Sequence, residues 1–171
     1  LAFPIRKISH LANKNSASGS KKNIAAHYDL GNELYTRFFD DSMMYSSAIY
    51  LSEGSTLAQA QNAKLKAICD KLQLTPEDHV VEIGTGWGGL AVFAAKNYGC
   101  KVTTTTISEE QHQYTKNLIN KEGLQDKIIL LKEDYRLLEG KFDKLVSIEM
   151  IEAVGKEYLP TFFKKCSSLL K

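Results

Sequence analysis

Residues 80–89 read VVEIGTGWGG, in which four glycines fall within six positions, directly after a short apolar run and an acidic residue. Gly84 and Gly86 let the backbone approach a ligand closely, and Gly88 or Gly89 lets a helix begin tightly against the preceding strand. Such a loop between a strand and a helix is typical of nucleotide-binding folds, and the N-terminus of the helix favours a negative group. A tight turn without a ligand is the alternative interpretation.

Two ligands compete for this loop. A dinucleotide site favours GxGxxG with an acidic residue about 20 positions later, at the end of the second strand. Here the spacing is GxGxGG, and the second strand ends in TTTTIS with no carboxylate before Glu109. Glu82, just before the glycines, would repel a phosphate but attract an ammonium or sulfonium group. The pattern therefore favours S-adenosylmethionine over NAD.

The elements that must position the loop alternate between strand and helix patterns. Strands are predicted at 79–83, 101–107, 128–132 and 143–149. Helices are predicted at 88–98, 109–122 and 156–170, with Ser108 as a cap and Gly99 and Gly123 as helix ends. Repeated strand–helix units indicate a parallel sheet with helices on both faces. Because only four strands are predicted, we expect the sheet to be part of a larger one.

The chain before the first strand divides into two segments. Residues 1–23 are predicted to be a basic interdomain linker, and residues 1–28 hold five Lys and Arg residues but no acid. A solvated linker and attraction to an anionic surface such as phospholipid both account for this charge. Aromatic residues do not interleave with the basic ones, so no nucleic-acid partner is expected. Residues 24–78 are predicted to be helical, with a loop at 40–55 and a helix from Ser55 or Thr56 to about Leu72.

Length and composition limit the classes of protein to which the chain can belong. The chain has 171 residues and a net charge of +2, and no apolar run approaches the roughly 20 residues of a membrane span. Its three cysteines form no CxxC pair, which argues against disulfides and a structural zinc site, so no metal is expected. Reduced thiols favour a cytoplasmic protein. The chain begins at Leu1 rather than Met, and we expect it to be a piece of a longer protein.

Seven motifs in a fixed order form a more specific pattern. They are HYDLGNELY (27–35), MMYSSAIY (43–50), TLAQAQNAKL (56–65), VVEIGTGWGG (80–89), TISEEQ (106–111), EDYRLL (133–138) and FDKLVSIEMIEAVG (142–155). From Asn13 to Lys171 the sequence resembles the cyclopropane-fatty-acyl-phospholipid synthase family of S-adenosylmethionine-dependent methyltransferases, which includes mycolic acid cyclopropane synthases. The resemblance implies a Rossmann-like class I methyltransferase fold, interrupted after about four strands. Residues 79–171 would be the N-terminal half of the cofactor-binding domain, and residues 24–78 would cover the active site.

The resemblance also implies which residues contact the cofactor. They are Tyr45, Ser46, Glu82, Gly84, Gly86, Gly88, Thr106, Gln111, Asp134, Tyr135 and Ile148. The glycines and Glu82 would hold the methionine end under Tyr45 and Ser46, while Thr106 and Gln111 would contact the ribose. Asp134 and Tyr135 would flank the adenine, and Ile148 would lie near the reacting centre. Tyr45 as a core residue, Thr106 as a plain strand residue and Asp134 as a helix cap are the alternatives.

Glu152 and Ser47 are the catalytic candidates. Glu152 follows the fourth strand, at the edge where such folds bind ligands. The resemblance implies that Glu152 helps to hold a bicarbonate ion that serves as base, with Ser47 near the ion and further ligands expected beyond Lys171. A surface acid is the alternative for Glu152. Glu149 is an additional acid that is either structural or alters the charge of the pocket.

The implied reaction transfers a methylene from S-adenosylmethionine to the cis double bond of an unsaturated phospholipid acyl chain, forming a cyclopropane. It requires exclusion of water, for which the aromatic residues between 28 and 50 are suited as pocket or core. The protein would be cytoplasmic and peripheral to the inner face of the membrane. Ser47 and Ala153, where many family members have Cys and His, leave methylation without ring closure open, on a lipid or a small acceptor. For this chain alone, a cofactor-binding module without turnover is a further alternative, as is a homo-oligomer formed through the fourth strand.

Overall fold

The computed structural model describes the backbone of residues 32–171 and the side chains from residue 35 onward. The predicted basic linker at 1–23 and the start of the predicted helical segment 24–78 therefore lie outside the described residues.

A four-stranded parallel sheet forms the centre of the fold. Its strands are β1 (His79–Ile83), β2 (Lys101–Thr105), β3 (Ile128–Leu131) and β4 (Lys144–Val146), in the spatial order β3-β2-β1-β4. The chain builds outward from β1 to β3 and then returns to the other side of β1. This reversal puts a topological switch point between the carboxyl ends of β1 and β4, where open parallel sheets bind ligands.

Five α-helices accompany the sheet within residues 32–171. They are α1 (Asn32–Phe38), α2 (Leu57–Leu72), α3 (Gly89–Tyr98), α4 (Glu109–Glu122) and α5 (Leu159–Leu169). Thr56 begins α2 with a capping box to Gln59, and the Ser108 side chain accepts a hydrogen bond from the backbone of α4, as predicted. None of the helices in residues 32–171 is long and apolar enough to cross a membrane.

The helices cover both faces of the sheet, as predicted. Side chains alternate along β1, so Val80 faces α2 and α3, while Val81 and Ile83 face the opposite side. The first face buries residues such as Leu65 and Leu90, and the second buries the sheet against α5 through Phe162. Two apolar layers thus hold the sheet and fix its carboxyl edge.

Three predicted elements end or begin two or more residues away from the predicted positions. The strand predicted at 143–149 pairs only over Lys144–Val146, because the Ser147 hydroxyl bonds to the Ile83 carbonyl (2.9 Å) and Glu149 turns left-handed (φ 49°). The strand predicted at 101–107 ends at Thr105. The helix predicted from 156 starts as a 3-10 turn, since Pro160 lacks the N–H that an α-helical bond to residue 156 requires.

Candidate active site

The glycine loop is fixed to both neighbouring elements. The backbone N–H groups of Gly84 and Thr85 donate to the Thr105 carbonyl at the end of β2 (3.2 and 2.9 Å). Gly88 immediately precedes α3 with φ 87°, and a Cβ there would lie 2.7 Å from Cγ2 of Thr115 on α4. A side chain is therefore excluded at Gly88, both by its conformation and by contact with a buried neighbour.

Two buried hydroxyl groups lie in or beside this loop. The side-chain oxygens of Thr85 and Thr115 find no hydrogen-bond partner among residues 32–171. Thr85 belongs to the loop itself, and Thr115 contacts Gly88. Since buried hydroxyls in proteins are normally hydrogen-bonded, these groups are available to a polar ligand.

Glu82 lies beneath the loop rather than on its surface. Its side chain is 3% exposed and lines a small cavity among Leu72, Leu90 and Val146. The Thr104 hydroxyl donates to its Oε2 atom at 2.6 Å. Burial raises the pKa of Glu82 to about 7, and the Thr104 hydrogen bond opposes this shift only in part. The carboxyl group can therefore be protonated or ionised near neutral pH.

An aromatic cluster covers the loop from the N-terminal side. Trp87 is 2% exposed and packs against Tyr35 (4.9 Å between ring centroids), Phe39 (6.4 Å) and Tyr45 (5.3 Å, edge-on). A Cβ at Gly86 would lie 3.4 Å from Cε1 of Tyr45. Tyr45 is 45% exposed, so it is a surface residue over the loop and not a core residue. Trp87 is the sole tryptophan and lies within the glycine loop, but it was not predicted as a site residue.

A polar network ties the segment around Ser46 to α2 and to the end of β4. Lys64 of α2 is 5% exposed, donates to the Ser46 hydroxyl and lies 3.9 Å from the Glu149 carboxylate. The Ser47 hydroxyl donates to the same carboxylate at 3.2 Å. Nε2 of Gln61 donates to the carbonyls of Met44 and Ser46, both at 3.0 Å. Gln61 and Lys64 were not predicted as site residues, because buried positions on a helix usually belong to the core. The sequence signal for them is that these two polar residues lie three positions apart within an apolar stripe.

The two residues predicted to contact the ribose are buried at the end of β2. The Thr106 hydroxyl donates to Oε1 of Gln111 at 2.9 Å and accepts from the backbone N–H of Ser108 at 3.1 Å. These bonds join the end of the strand to the first turn of α4. The structure thus brings Thr106 and Gln111 together, and their side chains are hydrogen-bonded to each other.

The adenine candidates follow β3. Asp134 caps a 3-10 turn (Tyr135–Leu137) and pairs with Arg136, whose Nε donates to Oδ1 at 2.8 Å. The alternative role of Asp134 as a helix cap is therefore present in the structure. The Tyr135 ring packs edge-on against Phe162 of α5, with 5.3 Å between centroids.

The residues after β4 approach the glycine loop unequally. Ile148 is half-buried against the core, and a Cβ at Gly84 would lie 3.2 Å from Cγ of Met150. Glu152 lies exposed on a 3-10 turn (Ile151–Ala153), and no hydrogen bond or ion pair joins it to another residue in the described part of the chain. Glu149, rather than Glu152, is the acid that the structure joins to Ser47.

Proteins of known class match this chain over most of its length. The family model described as mycolic acid cyclopropane synthetase matches residues 15–171. The chain belongs to this family. Its fold is that of class I methyltransferases, as predicted.

Members of the mycolic acid cyclopropane synthetase family and related enzymes align over most of this chain. It is 46% identical over 145 residues to the cyclopropane-fatty-acyl-phospholipid synthase of Escherichia coli strain K12, covering 85% of this chain and 37% of that relative. It is 42% identical over 144 residues to a probable fatty acid methyltransferase of Pseudomonas putida, covering 83% and 36%. The chain thus spans little more than a third of the length of these relatives.

A solved structure of the family superposes closely. The crystal structure of mycolic acid cyclopropane synthase CmaA1 complexed with SAH and CTAB matches with a TM-score of 0.84 and 29% identity. The match covers 88% of this chain and 53% of that one.

Proposed function

We propose that the complete gene product transfers a methylene from S-adenosylmethionine to the cis double bond of an unsaturated phospholipid acyl chain and forms a cyclopropane ring. The observation that carries this proposal is the 46% identity to the Escherichia coli cyclopropane-fatty-acyl-phospholipid synthase across 85% of the chain. The likeness to a synthase crystallised with SAH supports the methyl donor.

The residues around the glycine loop fit S-adenosylmethionine. The buried hydroxyls of Thr85 and Thr115 offer hydrogen bonds to a polar ligand, and the loop lies at the switch point of the sheet. We assign the methionine end of the cofactor to Gly84, Gly86 and Gly88, beneath Tyr45 and Ser46. The segment 24–78, as far as it is described, would then cover this end of the site through the aromatic contacts to Trp87.

Glu82 has a distinct role in the proposal. A buried carboxyl group with a pKa of about 7 is favoured in its ionised form when an ammonium or sulfonium group binds nearby. The cofactor carries both cations when it is bound. Glu82 would thus stabilise the cofactor through its charge from beneath the loop.

The remaining cofactor assignments follow the ends of the other strands. Thr106, just after β2, and Gln111, in the first turn of α4, would contact the ribose, and their mutual hydrogen bond would be replaced in part by bonds to the ligand. Asp134 and Tyr135 would flank the adenine beyond β3. Ile148, after β4, would supply an apolar wall near the reacting centre.

Cyclopropane formation from an alkene and a methyl group releases one proton, which a base must accept. The alkene π electrons form a bond to the methyl carbon of S-adenosylmethionine as the bond from that carbon to sulfur breaks and S-adenosylhomocysteine leaves, and the ring closes when the same carbon loses one proton to a base. Glu152 and Ser47 are the proposed catalytic residues on the protein side of this step. Water must be excluded because it would trap the developing cation, and the aromatic cluster on Trp87 serves this purpose.

A bicarbonate ion is also proposed for the site, but residues 32–171 fit it poorly. The Ser47 hydroxyl already donates to Glu149, and a carboxylate beside Ser47 repels a second anion. A bicarbonate site would need donors from beyond the described residues, so no step is assigned to the ion. Activity that falls in carbonate-depleted buffer and returns on addition of bicarbonate would support it.

The lipid substrate implies work at a membrane surface. We propose that the protein is cytoplasmic and binds the inner face of the membrane peripherally. The basic residues of segment 1–22 support attraction to anionic phospholipid. Binding to vesicles with anionic lipid, but not to vesicles of neutral lipid alone, is the expected result.

The deciding experiment incubates the complete gene product with S-adenosylmethionine and vesicles of a cis-unsaturated phospholipid. Mass spectrometry and proton NMR of the released acyl chains are expected to show a gain of one CH₂ and loss of the alkene protons. Vesicles of a saturated phospholipid are the control. Unchanged acyl chains in the presence of a bound cofactor would contradict the proposal.

Methylation of an unsaturated chain without ring closure is the second candidate. The 42% identity to a probable fatty acid methyltransferase of Pseudomonas putida favours it. The same experiment separates the two, because a methyl branch or a retained or shifted alkene appears in place of ring protons.

A further inference from the structure

We propose that Lys64 is a positioning residue that holds segment Met43–Ser47 closed over the glycine loop, through Ser46 and Glu149. The inference rests on the proposed binding of the cofactor in that loop. Lys64 is expected to set the affinity for the cofactor while touching neither the cofactor nor the reacting atoms.

The burial of Lys64 is the first observation. It is 5% exposed, and lysine is rarely buried to this extent unless its ammonium is paired. Desolvation lowers the pKa of Lys64, while the charge of Glu149 raises it. The α2 face therefore carries a cation whose burial is tolerated because Ser46 and Glu149 lie against it.

The second observation is that α2 holds the backbone of the same segment. Gln61, one turn before Lys64, donates from Nε2 to the carbonyls of Met44 and Ser46, both at 3.0 Å. Because both partners are carbonyl oxygens, the orientation of the Gln61 amide is fixed. Residues 44–46 are thus held by a helix whose own position depends on its core packing at Leu65.

The third observation is strain at the other end of the network. Glu149 adopts φ 49°, a left-handed conformation that is uncommon for residues other than glycine. Its carboxylate accepts from Ser47 and faces Lys64, while the next residue, Met150, contacts Gly84. Such strain persists where surrounding contacts hold it, and it is concentrated at functional sites.

These contacts surround one small segment whose Tyr45 ring lies over Gly86. Release of Ser46 and Ser47 would let Tyr45 move away from the loop. The cofactor, beneath Tyr45, would then dissociate faster. Lys64 and Glu149 therefore act on cofactor binding through the position of the segment.

The test replaces Lys64 by Met in the complete gene product and measures binding of S-adenosylhomocysteine, a non-reactive probe, by calorimetry. We expect the dissociation constant to rise about tenfold, as for the loss of roughly one charge-assisted hydrogen bond. The KM for S-adenosylmethionine should rise similarly, while kcat reports separately on the position of Ser47 in the same segment. Hydrogen exchange of the peptide containing residues 43–50 should speed up in the variant without ligand.

A stability measurement separates positioning from a merely structural role. Lys64→Met removes one partner of the ion pair, but the Glu149 side chain that remains is 44% exposed and can be hydrated, and the desolvation cost of the Lys64 ammonium disappears. The melting temperature of the Lys64→Met variant is therefore expected to change little, although cofactor affinity falls. Lys66→Met is the matched control, because Lys66 lies on the same helix and forms an exposed pair with Asp70.

The double variant Lys64→Met/Glu149→Gln tests the coupling. If both residues act through one segment, the double variant should bind the probe no more weakly than Lys64→Met alone. If the losses of probe affinity in Lys64→Met and in Glu149→Gln are fully additive in the double variant, the proposal is overturned. Unchanged binding by Lys64→Met, when the parent protein binds the probe, would also overturn it. If the parent protein itself fails to bind the probe, the proposed function falls first and this inference falls with it.

Discussion

At the scale of single residues, two buried ionisable side chains differ in how their charge is compensated. Lys64 has a hydroxyl and a carboxylate beside it, whereas in the described part of the chain Glu82 accepts a hydrogen bond from the Thr104 hydroxyl and lies in a cavity lined by apolar side chains. Burial dominates at Glu82 and raises its pKa to about 7. The strand position of Glu82 thus imposes a cost on the native state whenever the group is ionised.

The cost at Glu82 predicts a pH-dependent effect of Glu82→Gln. Because the native-state pKa is raised, protonated Glu82 contributes stability that is present below about pH 4.5 and lost as the pH rises through about 7. A shift of this size corresponds to roughly 3 kcal/mol. We expect the unfolding free energy of Glu82→Gln, relative to the parent chain, to rise by about 2–3 kcal/mol between pH 5 and pH 8.

Urea unfolding at both pH values measures this difference. The Gln amide nitrogen costs the same at each pH, so the change between the two values is the quantity to compare. Glu77→Gln, at an exposed glutamate in the turn before β1, is the control and should leave stability unchanged at both. A pH-independent difference for Glu82→Gln would show that Glu82 is not protonated in the native state.

At the scale of elements, the junction between β1 and α3 determines the shape of the candidate site. Its bonds to Thr105 fix the loop, Gly88 starts the helix, and Thr115 of α4 fills the space beside it. Packing of α3 against α4 is thus coupled to the conformation of the loop. A change at this junction should affect both folding and cofactor binding.

Gly88→Ala tests this coupling. The added Cβ would lie 2.7 Å from the buried Thr115 side chain at φ 87°, so we expect a loss of roughly 2–4 kcal/mol from strain and overpacking. Thermal unfolding by circular dichroism measures it. Gly54→Ala is the matched control, since a Cβ there meets nothing within 4 Å, and should change stability by less than about 1 kcal/mol. Equal effects of the two substitutions would contradict the role of Gly88.

Local patterns predict the elements better than their ends and contacts. Alternation in β1 and the caps Thr56 and Ser108 depend on neighbours in sequence, and the structure has them where the sequence indicates. The end of β4 depends on Glu149, which is held by Ser47 and Lys64 from distant parts of the chain. No local pattern carries that information, so strand 143–149 was predicted too long and Lys64 was not predicted as part of the site.

The same distinction holds for the candidate site. The glycine loop is predictable because its conformation demands glycine, as at Gly88. The side to which Glu82 points is not, since a loop motif does not state whether the preceding carboxylate faces the ligand or the helices. The position of Trp87 against Tyr45 likewise depends on how the N-terminal segment packs, which spacing alone leaves undetermined.

At the scale of the whole molecule, the β4 edge of the sheet carries outward-pointing backbone groups in the described residues. In the described residues, the order β3-β2-β1-β4 leaves β4 on one side, where pairing beyond it is confined to Phe142 and the segment 169–171. The Asp143 N–H donates to His79 of β1, so by the alternation of a parallel ladder the N–H groups of Lys144 and Val146 point outward. Outward N–H and C=O groups are a template for pairing with another strand.

This edge predicts self-association of the 171-residue chain. Sedimentation velocity should show a concentration-dependent increase in mass, since β4 of one copy can pair with a strand of another. Lys144→Pro removes an outward donor while the bonds to β1 from residues 143 and 145 remain, because proline is tolerated where a strand N–H faces outward. We expect this variant to remain monomeric with its circular dichroism spectrum unchanged. Lys144→Ala, which keeps the N–H, is the control and should associate like the parent chain. If Lys144→Pro associates as strongly as Lys144→Ala while folded, association proceeds through another surface and the β4 edge has no part in it.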